Sequence, residues 1–258
     1  MNGSNYQLMP RDLALLKAIA LLRLIDREQA RAIGNFHSAT RLNYRLAALR
    51  SLGLLKQFFV GLGPGTRKAV FCLTKRGAQI AGVQYQRTRF ASDATVGFDP
   101  FLIHRVAVGD IYVAVTHQSL PEGVRTSAWR FFETPLAANT HLIPDGYFEL
   151  HSRETVRGVF LEMDMGTETA RVWKKKVAEY LSFAVSGGFQ ERFGVPQFRV
   201  LVITTSAKRL QNLAKVISRI TPKLFWLTTL DEFKTNGPWS PIWSRPADSN
   251  KHSLFLNV

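Results

Sequence analysis

The sequence predicts an α+β protein in two parts, and three observations carry that expectation. First, charge is segregated: residues 1–90 hold 15 Lys and Arg against only Asp12, Asp26 and Glu28, whereas residues 91–258 hold 19 Lys and Arg against 16 Asp and Glu. Second, residues 8–84 read as helix, helix, helix and glycine-tipped hairpin. Third, after residue 100 short apolar strands alternate with amphipathic helices, the pattern of a mixed sheet covered by helices. Residues 85–100 have little apolar periodicity and contain Ser92, Asp93, Gly97, Asp99 and Pro100, so they are expected to be a linker. The expected organisation is therefore 8–84, linker 85–100, a mixed α/β domain 101–235 and an irregular tail 236–258.

The first helix opens at Pro10, with Leu13, Leu16, Ile19, Ala20 and Leu24 at three- and four-residue steps. Asp26 with Gln29 three positions on has the form of a capping box, predicting a short helix over 27–33 that Gly34 stops. Ser38 caps a third helix whose Leu42, Leu46, Leu49 and Leu52 form one stripe, ended by Gly53. Strands over 54–60 and 69–73 flank the tip Gly61-Leu62-Gly63-Pro64-Gly65-Thr66-Arg67-Lys68, and Thr74 caps a last helix to residue 81.

That order is the winged helix-turn-helix, whose third helix enters the major groove of duplex DNA. With the leucines inward, Thr40, Asn43, Tyr44 and Ala47 face outward, and Arg41 and Arg50 lie at the margins. Ser38, Thr40, Arg41, Asn43, Tyr44, Arg45 and Arg50 are the expected DNA contacts of this helix, since Asn pairs with adenine edges and Arg with guanine. Arg67 and Lys68 on the hairpin are expected at phosphates or the minor groove. The formal charge of +15 points to an anionic partner. Double-stranded DNA is favoured over a membrane surface, because the cations spread over several helices and a hairpin.

A lone cysteine, Cys72, excludes an internal disulfide and a Cys-based structural zinc site. With no signal-peptide pattern and no apolar run free of charge, a cytoplasmic protein is expected. The six histidines show no metal-pair spacing, and neither a serine nucleophile elbow nor a phosphate-binding loop is present.

In the second part, a helix is expected over 101–117 and strands over 129–133, 142–150 and 158–165. Phe160, Glu162 and Asp164 share one face of the last of these. A helix with Trp173, Val177, Tyr180, Leu181 and Ala184 inward follows, then a strand over 198–204, a helix over 208–220 and a strand over 224–227. Trp239 and Trp243 are expected to pack within the chain.

Asp145, after Pro144, and Glu162 resemble the paired acids of the PD-(D/E)xK nuclease superfamily. That resemblance implies a nuclease-like fold in which Asp145, Glu162 and Asp164 would ligate Mg²⁺. Glu133 would add an oxygen, and Lys176 from the next helix would replace the motif lysine, whose position Asp164 occupies. The missing lysine favours a non-catalytic domain. Otherwise Pro144-Asp145-Gly146 is a β-turn, and Glu162 and Asp164 form a solvated strand face or pair with Lys176 and Arg171.

Most of the chain, from about residue 10 to about residue 210, resembles the replication-relaxation family of bacterial plasmids and mobile elements. The resemblance rests on Arg11-Asp12, Arg45-Leu46 with Leu49, Gly53-Leu54-Leu55, Leu73-Thr74 with Gly77, and His104 with residues 108–110. It continues through residues 129–133, Pro144-Asp145-Gly146, and Leu161-Glu162-Met163-Asp164-Met165-Gly166-Thr167-Glu168 followed by Lys176 and Tyr180. It implies a DNA-binding accessory protein of replication, DNA relaxation or transfer, with a replication initiator or relaxase as partner. A homodimer on a palindromic site is the expected assembly. The alternatives are a Mg²⁺-dependent endonuclease directed by the winged helix and a transcriptional regulator.

Overall fold

The structure, a computed structural model, describes residues 7–138, 140–152, 155–248 and 250–255. The chain divides into two compact units, the first ending at Val113 and the second beginning at Ala114.

In the first unit, helix α1 (Pro10–Leu22) starts on proline, and the Asp12 carboxylate accepts the Met9 N–H at 2.6 Å. Its buried row is Asp12, Leu15, Leu16, Ala18, Ile19 and Leu22. Leu13, expected inward, is exposed, because the inward face begins on the aspartate. Strand β1 (Ile25–Asp26) leads into α2 (Arg27–Ile33) through the expected capping box: Gln29 N–H donates to Asp26 at 2.8 Å and Asp26 N–H donates to the Gln29 amide oxygen at 3.1 Å. Helix α3 (Ala39–Ser51) is capped by Ser38 and buries Leu42, Leu46 and Leu49.

Strands β2 (Leu55–Gly63) and β3 (Thr66–Leu73) pair antiparallel from Leu55↔Leu73 to Gly61↔Arg67, closing over Pro64 and Gly65. The ladder runs further than the apolar residues do, since backbone pairing places no demand on side-chain polarity. Thr74 caps α4 (Lys75–Ala81), where Gly77 packs so close to the Leu54 carbonyl that a Cβ would sit 2.1 Å from its oxygen. Residues 85–100, expected as linker, contain β4 (Thr95–Phe98), which pairs parallel to β2 and completes the order β1-β3-β2-β4. Helix α5 (Pro100–His117) contributes Leu102 and Val106 to a core with Leu24, Phe58, Val60, Val70 and Cys72.

The second unit is a seven-stranded sheet ordered β11-β10-β9-β8-β7-β6-β5. Strands β5 (Val124–Arg130), β6 (Gly146–Ser152) and β7 (Thr155–Asp164) form an antiparallel meander. Helices α6 (Ala170–Val185) and α7 (Gly188–Phe193) precede β8 (Phe198–Thr204), α8 (Ala207–Ser218) precedes β9 (Phe225–Thr229), and β7, β8 and β9 run parallel. The two longer helices bury one face of the sheet in a core that includes Phe160, Trp173, Tyr180, Val200, Leu213 and Phe225.

Several expectations are corrected here. Strand β5 ends at Arg130, so Glu133 lies beyond it in an exposed loop. Strand β6 begins at Gly146, leaving Asp145 just outside it. Phe183, not Ala184, completes the inward row of α6. Residues 236–258, expected to be irregular, supply β10 (Trp243–Ser244) and β11 (Lys251–His252) after α9 (Leu230–Asn236). Two-residue strands carry no readable alternation; the sheet edge alone decides them. Trp243 is fully buried with its N–H on the Pro238 carbonyl at 2.9 Å, and Trp239 stacks on Phe255 at 5.4 Å.

Candidate functional site

The exposed side of α3 presents Thr40, Arg41, Asn43 and Tyr44, and Tyr44 is 71% exposed despite its large ring. They stand outward because Leu42, Leu46 and Leu49 consume the opposite face. Arg67 is exposed on β3, its guanidinium 4.7 Å from the Phe59 ring centroid.

The other expected DNA contacts are engaged inside the unit. Arg45 pairs with the fully buried Asp12, its Nε on Oδ1 at 2.5 Å, and also reaches the Gln7 carbonyl at 3.2 Å. Arg50 bridges Gln57 at 3.0 Å and Asp93 at 2.8 Å, tying α3 to the segment before β4. Lys68 pairs with Asp26 at 2.6 Å. Burial disfavours its charge, but the Asp26 contact outweighs this and holds the ammonium's pKa raised. Ser38 caps α3 by accepting the Arg41 N–H at 3.4 Å.

The second candidate lies at the end of β7. Glu162 and Asp164 are 3% exposed and alternate onto the face covered by α6 and α8. Tyr180 donates to Glu162 Oε1 at 2.6 Å and Lys176 to Oε2 at 2.9 Å; the same ammonium reaches Glu168 at 3.0 Å. Arg209, in the first turn of α8, forks onto both oxygens of Asp164 at 2.6 and 2.8 Å, and Trp173 donates to Oδ1 at 3.2 Å. Asp145 accepts the Met163 N–H at 2.7 Å.

Burial pushes the Glu162 carboxyl up to about 7, with Lys176 opposing and Asp145 adding to the rise. For Lys176, burial alone would lower the pKa, yet Glu162 and Glu168 hold it raised. The bidentate hydrogen bond to Asp164 likewise raises Arg209.

The structure therefore brings Asp145, Glu162, Asp164 and Lys176 to one end of the sheet and leaves Glu133 out of it. Mg²⁺ needs open carboxylate oxygens. Both oxygens of Glu162 and both of Asp164 are already bonded, and among the described residues no group of three His, Cys, Asp or Glu is arranged to hold a metal. These donors as arranged do not fit the ion, because cations from α6 and α8 occupy its place. Arg171, the partner expected for Asp164, is replaced by Arg209, 45 positions along the chain, which no local spacing could have disclosed. The Asp12–Arg45 pair was equally hidden, although an aspartate at the start of an apolar helix row was its available signal.

No helix among the described residues is long and apolar enough to cross a membrane. No curated protein and no solved structure matches the chain. The family model described as replication-relaxation matches residues 16–197. That span takes in α3, the hairpin and the whole carboxylate end of β7, and membership points to a role in replication or DNA relaxation. With more than half of its length matched, the chain belongs to the replication-relaxation family.

Proposed function

We propose that the protein is a double-stranded DNA-binding accessory factor for the replication or relaxation of a plasmid or mobile element. The first unit acts as a winged helix, with α3 in the major groove and the β2–β3 hairpin as its wing. The observation that carries this reading is the outward row Thr40, Arg41, Asn43 and Tyr44, together with the exposed Arg67 of the hairpin, in a chain of net charge +15. Arg41 and Asn43 are the donors suited to base edges, Tyr44 offers a ring and a hydroxyl, and Arg67 suits a phosphate. Arg45, Arg50 and Lys68 hold the unit together and serve DNA only indirectly.

We read the carboxylate end of β7 as a structural clamp between the sheet and helices α6 and α8. A nuclease-like ancestry is compatible with Asp145, Glu162 and Lys176 lying together, but each charge there has an internal use.

The test is a gel-shift or anisotropy titration of the full chain against DNA of the neighbouring replication or transfer origin. If about six phosphates are neutralised, affinity should fall on the order of a thousandfold between 50 and 200 mM salt. Affinity independent of salt, or unchanged by Arg41→Ala with Asn43→Ala, refutes the reading.

A further inference from the structure

The second unit contains a cavity of about 420 Å³ at the end of the sheet where β7, β8 and β9 begin, remote along these strands from Glu162 and Asp164. Arg157 from β7, Arg199 from β8, Lys223 before β9 and Arg245 after β10 line it, and so do Phe189 and Phe198. Among the described residues, the one ion pair that any of these four cations makes is Arg245 with Asp248 at 3.3 Å, and Asp248 also serves His252 at 2.7 Å.

Two of the lining residues carry a buried polar atom with no hydrogen-bond partner. The indole N–H of Trp226, a residue 2% exposed, has no hydrogen-bond partner, and neither has the buried Nε of Arg245. Arg199 is 9% exposed, stacks 4.1 Å from the Trp226 ring and donates to the Leu254 carbonyl at 2.8 Å. Its pKa is lowered to about 9, by burial first and then by Arg157 and Arg245, so like charges face one another here.

From this geometry we propose that the cavity binds a phosphorylated small molecule of about nucleotide size. Three guanidinium groups and an ammonium offer more donors than the two oxygens of a carboxylate can use. A phosphate monoester brings three acceptor oxygens and close to two negative charges. The volume lies within the range of small-ligand pockets. A duplex phosphodiester could not reach a guanidinium as sunken as that of Arg199.

The experiment is calorimetric titration of the full chain with AMP, adenosine and pyrophosphate, and of the Arg157→Gln and Arg245→Gln variants with the same probes. Expected are saturable one-site binding of AMP, weaker binding of pyrophosphate, none of adenosine, and at least a tenfold loss in each variant with its melting temperature unchanged. Should a variant unfold early, Lys223→Gln, on an exposed residue, takes its place and is expected to weaken AMP several-fold. Equal binding of adenosine, no binding of AMP at millimolar concentration, or full affinity in folded variants overturns the proposal. So does a loss of duplex DNA binding in Arg157→Gln without any AMP binding. Arg41→Ala should leave AMP affinity intact, which separates this site from the proposed DNA face.

Discussion

The outer row of α3 and the end of β7 are built from similar polar residues and use them in opposite ways. On α3, Arg41, Asn43 and Tyr44 stand in solvent, where ordering their side chains without a partner would gain nothing. At β7, Glu162 and Asp164 sit in a place with almost no solvent, and each oxygen is met by a donor from another element. The difference teaches how to separate a charge left in solvent from one spent on the fold. What distinguishes them is an internal partner for each polar atom.

The largest effect should come from breaking the buried end. Asp164→Ala leaves the Arg209 guanidinium beside an empty acceptor position, and a loss of roughly 3–5 kcal/mol is expected in urea denaturation. Asp12→Ala, which abandons Arg45 in the first unit, belongs to the same class. A loss below about 1 kcal/mol in both would mean these pairs are dispensable and would erase the contrast with α3.

The next effect is a pH dependence. The folded pKa of Glu162 lies above the ordinary carboxyl value of 4.5, at about 7, so the folded state holds a proton that the unfolded chain has released. The resulting stability is fully present below about pH 4.5 and is lost as pH rises to about 7, with a slope of at most roughly 1.4 kcal/mol per pH unit for one proton. Glu162→Gln should flatten that part of the stability profile. An unchanged slope in the variant would show that Glu162 titrates normally.

Substitutions on α3 should move binding and not stability. Arg41→Ala and Asn43→Ala are each expected to cost about 1–3 kcal/mol of affinity for the specific duplex, read by anisotropy, while melting stays within about 0.5 kcal/mol of the parent. The smallest effect belongs to Arg67→Ala, a few-fold loss on all sequences alike with the salt slope reduced by about 1. If Arg67→Ala instead changed sequence preference, the hairpin would be reading bases.

Much of the first unit was legible because its signals are local. The Asp26–Gln29 box, the Ser38 and Thr74 caps and Leu42, Leu46 and Leu49 of α3 all act within four residues and appear in the structure where the spacing put them, while Leu52, expected in the same stripe, is the half-buried C-cap. The candidate site was legible only by half. Outward positions on α3 follow from helical geometry, but nothing near Arg45, Arg50 or Lys68 in the chain announces Asp12, Asp93 or Asp26 as partners. Glu133 was misplaced because β5 ends at Arg130, after a register shift between Ser127 and Arg130 where Ala128 takes φ of 54°.

Sequence alone determined the segregation of charge, the α+β class and the periodic elements, because composition and residue spacing are properties of the chain before it folds. Tertiary structure decided the rest: which cations are consumed, that the acids of β7 are clamped by α6 and α8, and that the tail adds β10 and β11 to the sheet. Most of those outcomes depend on contacts between residues a dozen or more positions apart. Such contacts exist only after packing has fixed which faces meet and how much water remains between them.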